Sequence, residues 1–453
     1  MTTQTELLNE HAYRKAPGKT FLSMSIPVLL SLVAEPLTGL IDTAFVARLG
    51  TDPLAALGVG TMVLSSAFWI FNFLGVGTQT ETAHAVGAKC KQQTARTAST
   101  ALILALVIGV FAGSIPQFFL PEIAAFMGAK GAMTDLSIDY MTYRLAGAPA
   151  VLFVMAAFGI FRGLQDMRTP LVVTTIVNAL NVLLDWVLIF GIGPFPELGV
   201  TGAAIATTAS QYVGMAVTFY AVHKHLKLRI EFDFPRCKRL LCIGWDMVIR
   251  SGLVLAFLMY CTRTATQAGA IDGAAHQGIR QFTVFTTMLL DAFAITGQSL
   301  TGYFKGTGDR AMIRQVAKHT FSVSFITGII LGAVMIVGQS LFADLFIPPE
   351  AIEVFFTAWL VAALFQPVNA LSYATDGVLW GIGDFTFTRN AMCISCIIGI
   401  LLIGLITIVQ PSHILAWIWA ATGMMNLIRS GLGCYRSWQI TKVPVSISQG
   451  AAT

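Results

Sequence analysis

Asn181 and Asp185 stand four residues apart in the apolar segment VTTIVNALNVLLDWVLIF, and Asn178 precedes them by three. At helical spacing the three side chains share one face, a stripe of two carboxamides and a carboxylate in an otherwise apolar run. Oxygens of this kind, away from bulk water, hold a proton or a small cation. Glu35 and Asp42 lie in an earlier apolar run, and Thr207 and Thr208 in GVTGAAIATTAS. An ionisable residue at such a place marks a functional site by default, because its burial in hydrocarbon is costly. A bland reading stands beside each. Asn side chains in bundled helices bond a neighbouring helix, and Asp42 sits near the end of its run, within reach of water.

The second half carries its own charges. Asp246 and Arg250 in WDMVIRS are four apart and read as an internal salt bridge. Arg263, Asp291 and Asp376 are further charges in apolar runs, and the two aspartates are available to line a second lobe or to pair with Arg250, Arg263 or Arg280. His276 in GAAHQG reads as a polar group near a helix start. The seven cysteines are scattered, and Cys393 and Cys396 form a CxxC with no second pair inside an apolar run. They make neither a disulfide framework nor a zinc site. No HExxH, GxSxG or P-loop pattern occurs in the runs, so neither an enzyme nor an ATP-driven pump is expected, and no cofactor. The aromatics pack against lipid in the plain reading, with the option of clasping an aromatic cation.

What positions these residues is a set of membrane spans. The chain has 453 residues, 55% hydrophobic and only 11% charged, with a mean hydropathy of +0.73. Soluble domains carry about a quarter of their residues as charges, and runs of about 20 apolar residues demand a bilayer. The net charge of +5 belongs to loops at a membrane surface and does not point to nucleic acid. Hydropathy predicts twelve helical spans, at 21–47, 54–80, 98–118, 137–161, 169–192, 198–222, 243–267, 278–304, 319–341, 351–380, 387–409 and 413–437. They must be helices, because backbone groups in hydrocarbon bond within their own segment. The first run is long and interrupted by Glu35, Pro36 and Asp42, so it reads as a retained span and not a cleaved leader.

Lys and Arg placement sets the orientation. Arg14, Lys15 and Lys19 precede the first span, and Lys89, Lys91 and Arg96 follow the second. Arg162 and Arg168 lie between spans 4 and 5, and Lys305, Arg310, Arg314 and Lys318 follow span 8. The connection between spans 6 and 7 carries Lys224, Lys227, Arg229, Arg236, Lys238 and Arg239. Both termini and every even-numbered loop are therefore expected in the cytoplasm, with the protein in the plasma (inner) membrane.

The two halves repeat. Ala55-Ala56 maps to Ala274-Ala275, Gln79 to Gln298 and Gly87 to Gly306 at a displacement of 219. After a one-residue adjustment Pro149 maps to Pro367, Gly159 to Gly377, Gly163 to Gly381 and Asp166 to Asp384. Six spans is an even number, so both copies share one topology and are related by a pseudo-twofold axis along the membrane normal, with a cavity between them. The expected organisation is an N-terminal segment 1–20, an N-lobe 21–222, a linker 223–242, a C-lobe 243–437 and a tail 438–453. The polar chemistry does not repeat, since Asp42, Asn181 and Asp185 have no counterparts at the shifted positions.

Taken together, GLIDTAFVARLGTDPLAALGVG, TQTETAHAVGAK, FRGLQDMRTP, NALNVLLDWVLIFGIG followed by GVTGAAIATTASQY, and WDMVIRS make the chain resemble the multidrug and toxic compound extrusion (MATE) carriers. Within them it resembles the DNA-damage-inducible, DinF-like branch, over essentially the whole chain. The resemblance implies an all-α fold of twelve helices in two six-helix lobes forming a V. It also implies efflux of amphipathic, often cationic compounds, driven by proton or Na⁺ entry. Carried over position by position, the family's helix 1 carboxylate falls on Asp42 and its bending proline on Pro27, to which Pro36 adds a second bend. The helix 5 Asn and Asp fall on Asn181 and Asp185, and the helix 6 threonine on Thr207. Asp42, Asn181, Asp185 and Thr207 form the expected coupling site, for a proton by preference or for Na⁺ as the alternative.

Glu35, Asn178, Tyr140, Asp291 and Asp376 are candidates for the substrate cavity. The C-lobe acidic pattern of part of the family is absent, since Asn369 stands where its helix 10 Asp would be. Two carboxyls brought together in an apolar wall would share a proton, and its uptake would expel the drug while helix 1 bends at its prolines. The expected partners are small amphipathic or cationic compounds and membrane lipid, with the protein a monomer. The rival readings are a lipid-intermediate flippase, for which a strongly basic cavity is expected, and a Na⁺-coupled exporter of an endogenous metabolite.

Overall fold

The structure is a computed structural model that describes residues 11–228 and 231–442. The expected charge at Arg229, most of the tail 438–453 and half of the segment 1–20 lie outside the described residues. After a short α1 (Ala12–Lys15) come α2 (Pro17–Val46), α3 (Thr51–Ile70), α4 (Phe73–Gly87), α5 (Lys91–Ser114), the short α6 (Leu120–Phe126), α7 (Ala132–Ala146), α8 (Ala148–Gly163), α9 (Arg168–Phe190) and α10 (Gly199–Leu226). The second half runs α11 (Phe234–Ala268), α12 (Ala270–Thr307), α13 (Arg310–Val337), the short α14 (Gln339–Phe346), α15 (Ile352–Leu364), α16 (Gln366–Ile382), α17 (Phe385–Val409) and α18 (Ile414–Lys442). No strand occurs among the described residues.

Seven of these segments are long and apolar enough to cross a bilayer, and two bent pairs bring the number to nine. The remaining three, α10, α12 and α18, have the length but carry more polar residues. The architecture is therefore the expected one, twelve spans in two sets of six. Its boundaries differ in places. The second span is two helices interrupted at Phe71 and Asn72 and extends to Gly87. Much of the expected linker 223–242 is helical, because α10 persists to Leu226 and α11 starts at Phe234, capped by the Asp233 side chain on the Arg236 N–H.

Two spans are bent alike, by 47° between α7 and α8 and by 45° between α15 and α16. Each second segment carries a proline in its first turn, Pro149 or Pro367. A proline is tolerated there because the first-turn N–H has no helical partner anyway, and its ring obstructs continuation of the helix before it. A glycine on a neighbouring helix meets each bend: a Cβ on Gly109 would lie 2.5 Å from the Pro149 Cα, and one on Gly328 2.6 Å from the Pro367 Cα. The close approach of backbones at small residues is how helices pack where lipid is the solvent.

Four buried clusters form the core, and two of them cross between halves. Tyr13, Phe21, Met24 and Val28 of the N-terminal segment pack with Phe293, Leu300, Phe304 and Val378. Cys237, Leu240, Ile243 and Met247 of α11 pack with Phe73, Leu74, Ala101 and Phe161. Each six-helix set thus receives the first part of the other set's leading helix. The two remaining clusters stay within one half each, one around Leu57, Tyr140 and Ala203 and the other around Phe257, Trp359 and Met392.

Candidate functional site

A cavity of about 530 Å³ lies between the two sets of helices. Its wall takes Glu35, Pro36 and Asp42 from α2, Tyr140 and Arg144 from α7, Asn178 and Asn181 from α9, Thr207 from α10 and Asp291 from α12. Asp185, one helical turn from Asn181, is fully buried behind this wall, and its carboxyl lies within hydrogen-bonding reach of Asp42. Both Asp185 oxygens and Asp42 Oδ1 lack a donor from the protein, as does the Asn178 amide an acceptor. Asn181 Nδ2 donates to Thr207 Oγ1 at 3.2 Å, and that hydroxyl donates to the Ala203 carbonyl at 2.9 Å. Asn181 and Thr207 are thereby locked together.

The structure gathers most of the coupling, cavity and helix-bending candidates around this cavity and leaves three of them elsewhere. Asp376 is buried in the second lobe and Pro27 lies nearer the start of α2, while Asp185 stands behind the lining residues. Helix α2 is unbroken across Pro27 and Pro36. The internal Asp246–Arg250 bridge does not form. Asp246 accepts from Arg389 Nη1 at 2.6 Å and from Thr386 Oγ1 at 2.8 Å, and Arg250 instead pairs with Asp376. Spacing of four puts two side chains on one face but cannot see a better partner on another helix.

Asp376 also pairs with Arg429 of α18, a residue that sequence reasoning passed over although it lies within an apolar span. Arg250 sits over the Trp380 ring at 4.9 Å and Arg429 over Tyr373 at 5.4 Å. Asp291 lies within electrostatic range of this cluster, and Arg162 of α8 within range of Asp291. Two guanidinium groups of the second lobe, and a third from the first, therefore stand near two carboxylates of the second lobe. Arg144 was missed in the same way. Any charged residue inside a span is a signal, and both arginines met that criterion.

On the side where Lys and Arg concentrate, the two halves close on each other by bonds that come in matched pairs. Gln79 Nε2 donates to the Ile295 carbonyl at 2.8 Å, and Gln298 Nε2 to the Val76 carbonyl at 2.9 Å. Thr80 Oγ1 donates to the Trp380 carbonyl at 2.9 Å, and Ser299 Oγ to the Arg162 carbonyl at 2.5 Å. Gly87 and Gly306 meet at the crossing of α4 and α12, where a Cβ on either would collide with backbone of the other helix. Every one of these partners is related to its counterpart by the sequence repeat. Unmatched contacts add to the seal, with His84 Nε2 at 2.7 Å from the Gly381 carbonyl and Arg239 Nε at 2.9 Å from Glu81.

A model of the MatE family matches residues 27–187 and 247–404, one match in each half. The chain is 30% identical over 454 residues to Protein DETOXIFICATION 44, chloroplastic, of Arabidopsis thaliana, covering 96% of this chain and 86% of that one. It is 27% identical over 397 residues to DNA damage-inducible protein F of Escherichia coli, covering 85% of each. A crystal structure of MATE in the bent conformation superposes with a TM-score of 0.86 at 22% identity, over 98% of this chain and 99% of that one.

Proposed function

The chain belongs to the MatE family of membrane transporters, and from that premise we propose that it is a secondary active multidrug efflux carrier, exchanging protons for amphipathic cationic compounds by alternating access. One observation carries this reading: a sealed basic face on one side, and on the other a cavity whose N-lobe wall presents Asp42 backed by Asp185. Two carboxyls within reach of each other, partly or wholly out of water, share a proton more readily than they carry two charges. The donorless oxygens of both fit a proton held between them.

In the proposed cycle, the basic face is cytoplasmic and the conformation described is the outward-facing one. The ionised pair, with Glu35, attracts a cationic substrate into the cavity from the inward-facing state. After the switch, protons entering from outside neutralise the carboxyls, the attraction is lost, and the substrate leaves. Return to the inward state releases the protons and requires the matched bonds of the seal to break. Bending of α2 at Pro27 and Pro36, each of which removes a backbone hydrogen bond, is the proposed means by which Asp42 changes its exposure. The protein acts as a monomer at the plasma membrane in this reading.

Efflux of a lipophilic cationic dye from proteoliposomes tests it. A pH gradient should drive dye movement, a proton ionophore should stop it, and replacing Na⁺ by choline should leave it intact. Movement that needs a Na⁺ gradient and ignores the ionophore would remove the proton from the scheme. Failure to move any lipophilic cation would remove multidrug efflux itself. A second reading, export of an anionic metabolite, draws on the three arginines around Asp376 and Asp291. Exchange of carboxylates or phosphates across the same vesicles, with no dye movement, would favour it.

A further inference from the structure

Arg144 is the one cation in the wall of the central cavity among the described residues. It occupies the last turn of α7, immediately before the bend at Gly147. The bend leaves carbonyls of that turn without helical partners, and α10 supplies them: Thr208 Oγ1 donates to the Tyr143 carbonyl at 2.9 Å and Tyr212 Oη to the Ala146 carbonyl at 2.8 Å. The backbone bearing Arg144 is therefore pinned on both sides. The guanidinium itself forms no ion pair within the described residues, and its Nε and Nη1 are buried without acceptors. It stands within electrostatic range of both Asp42 and Asp185 without being bonded to either.

A positive charge so placed acts through space on whatever else is positive beside those carboxyls. We propose that Arg144 is the specificity-determining residue of the N-lobe cation site, a fixed countercharge that excludes a bound Na⁺ from the space between Asp42, Asp185, Asn181 and Thr207. This rests on reading Asp42 and Asp185 as the coupling site. A Na⁺ ion there would need four or more oxygens and would keep its full charge against the guanidinium in a medium of low dielectric. Thr207 already accepts from Asn181 and donates to Ala203, so its hydroxyl adds little to a cage. The other charges facing the space are Glu35, at the exposed rim of α2, and Asp291, across the cavity on α12, and neither neutralises Arg144 by contact.

The test is Na⁺ binding by the purified full-length protein, read with radioactive sodium in a scintillation proximity assay and independent of any transported drug. Wild type should show no binding that depends on Asp42. Arg144→Gln should gain it, with an affinity higher on the order of a hundredfold, the size expected from removing one nearby like charge. The double variant Arg144→Gln, Asp42→Asn should lose it again, and Arg144→Lys should behave as wild type. Asp42-dependent Na⁺ binding by wild type overturns the proposal, as does a folded Arg144→Gln that gains none. If Arg144→Gln does not fold, Arg144→Met and the wild-type comparison with Asp42→Asn still decide it. Loss of proton-driven dye efflux alone would sink the efflux reading and leave this binding result standing.

Discussion

At the scale of single residues, the two lobes make opposite use of charge. In the first, Asp42 and Asp185 find each other and no donor. Asp42→Asn or Asp185→Asn should abolish dye efflux in vesicles while leaving expression and melting temperature near wild type, since a carboxamide keeps the volume and supplies the missing donor. In the second, Asp376 is the only carboxylate among the described residues that bonds two buried arginines. Asp376→Asn leaves both uncompensated and should cost about 3–5 kcal/mol, visible as a large drop in thermal stability, whereas Asp246→Asn, whose single arginine partner Arg389 is more exposed and also bonds Asn390, should cost less. The sequence made the acidic residues of the first lobe conspicuous because Asn178, Asn181 and Asp185 lie on one helix face. It could not assign partners in the second, where Asp376 draws one arginine from α11 and another from α18, distant in the chain.

At the scale of elements, hydropathy located the spans, because a bilayer demands a minimum apolar length. It could not see the bends, since neither Gly147 nor Phe365 interrupts the overall hydropathy of its span. Only the repeated Pro149 and Pro367 hinted at them. Gly109→Val or Gly328→Val should push the bent span off its neighbour and lower yield and melting temperature, because the added atoms meet proline backbone and not a movable side chain. A second element-level effect concerns α1. His11 bonds Gln165 at 2.9 Å while Tyr13 bonds His319 at 2.9 Å, so this short segment ties the α8–α9 turn to α13. Burial lowers the His11 pKa from its ordinary 6.5, partly offset by the Gln165 bond, with Arg14 adding to the lowering. The docked segment therefore favours neutral imidazole, and its contribution is present above pH 6.5 and lost as pH falls below it. Protection factors from hydrogen exchange at residues 11–16, corrected for the intrinsic pH dependence of exchange, should fall between pH 7 and pH 5.5 in wild type and change little in His11→Gln.

At the scale of the whole molecule, the displacement of 219 residues noticed in the sequence is written into the bonds between the halves. Gln79 and Gln298 repeat each other's contact, and so do Thr80 and Ser299. Gly87→Val or Gly306→Val should keep α4 and α12 from meeting and abolish efflux, because the added atoms strike backbone of the other helix. Undiminished efflux by either variant would mean that the halves need not close at this face. The same pairing carries an evolutionary and practical corollary. Because every matched contact joins one half to the other, the chain behaves as a dimer whose subunits happen to be fused. The helices on either side of the fusion end at Leu226 and begin at Phe234, so few residues are needed for it. Two separately synthesised fragments, cut between those helices, should find each other in the membrane and reassemble a working carrier.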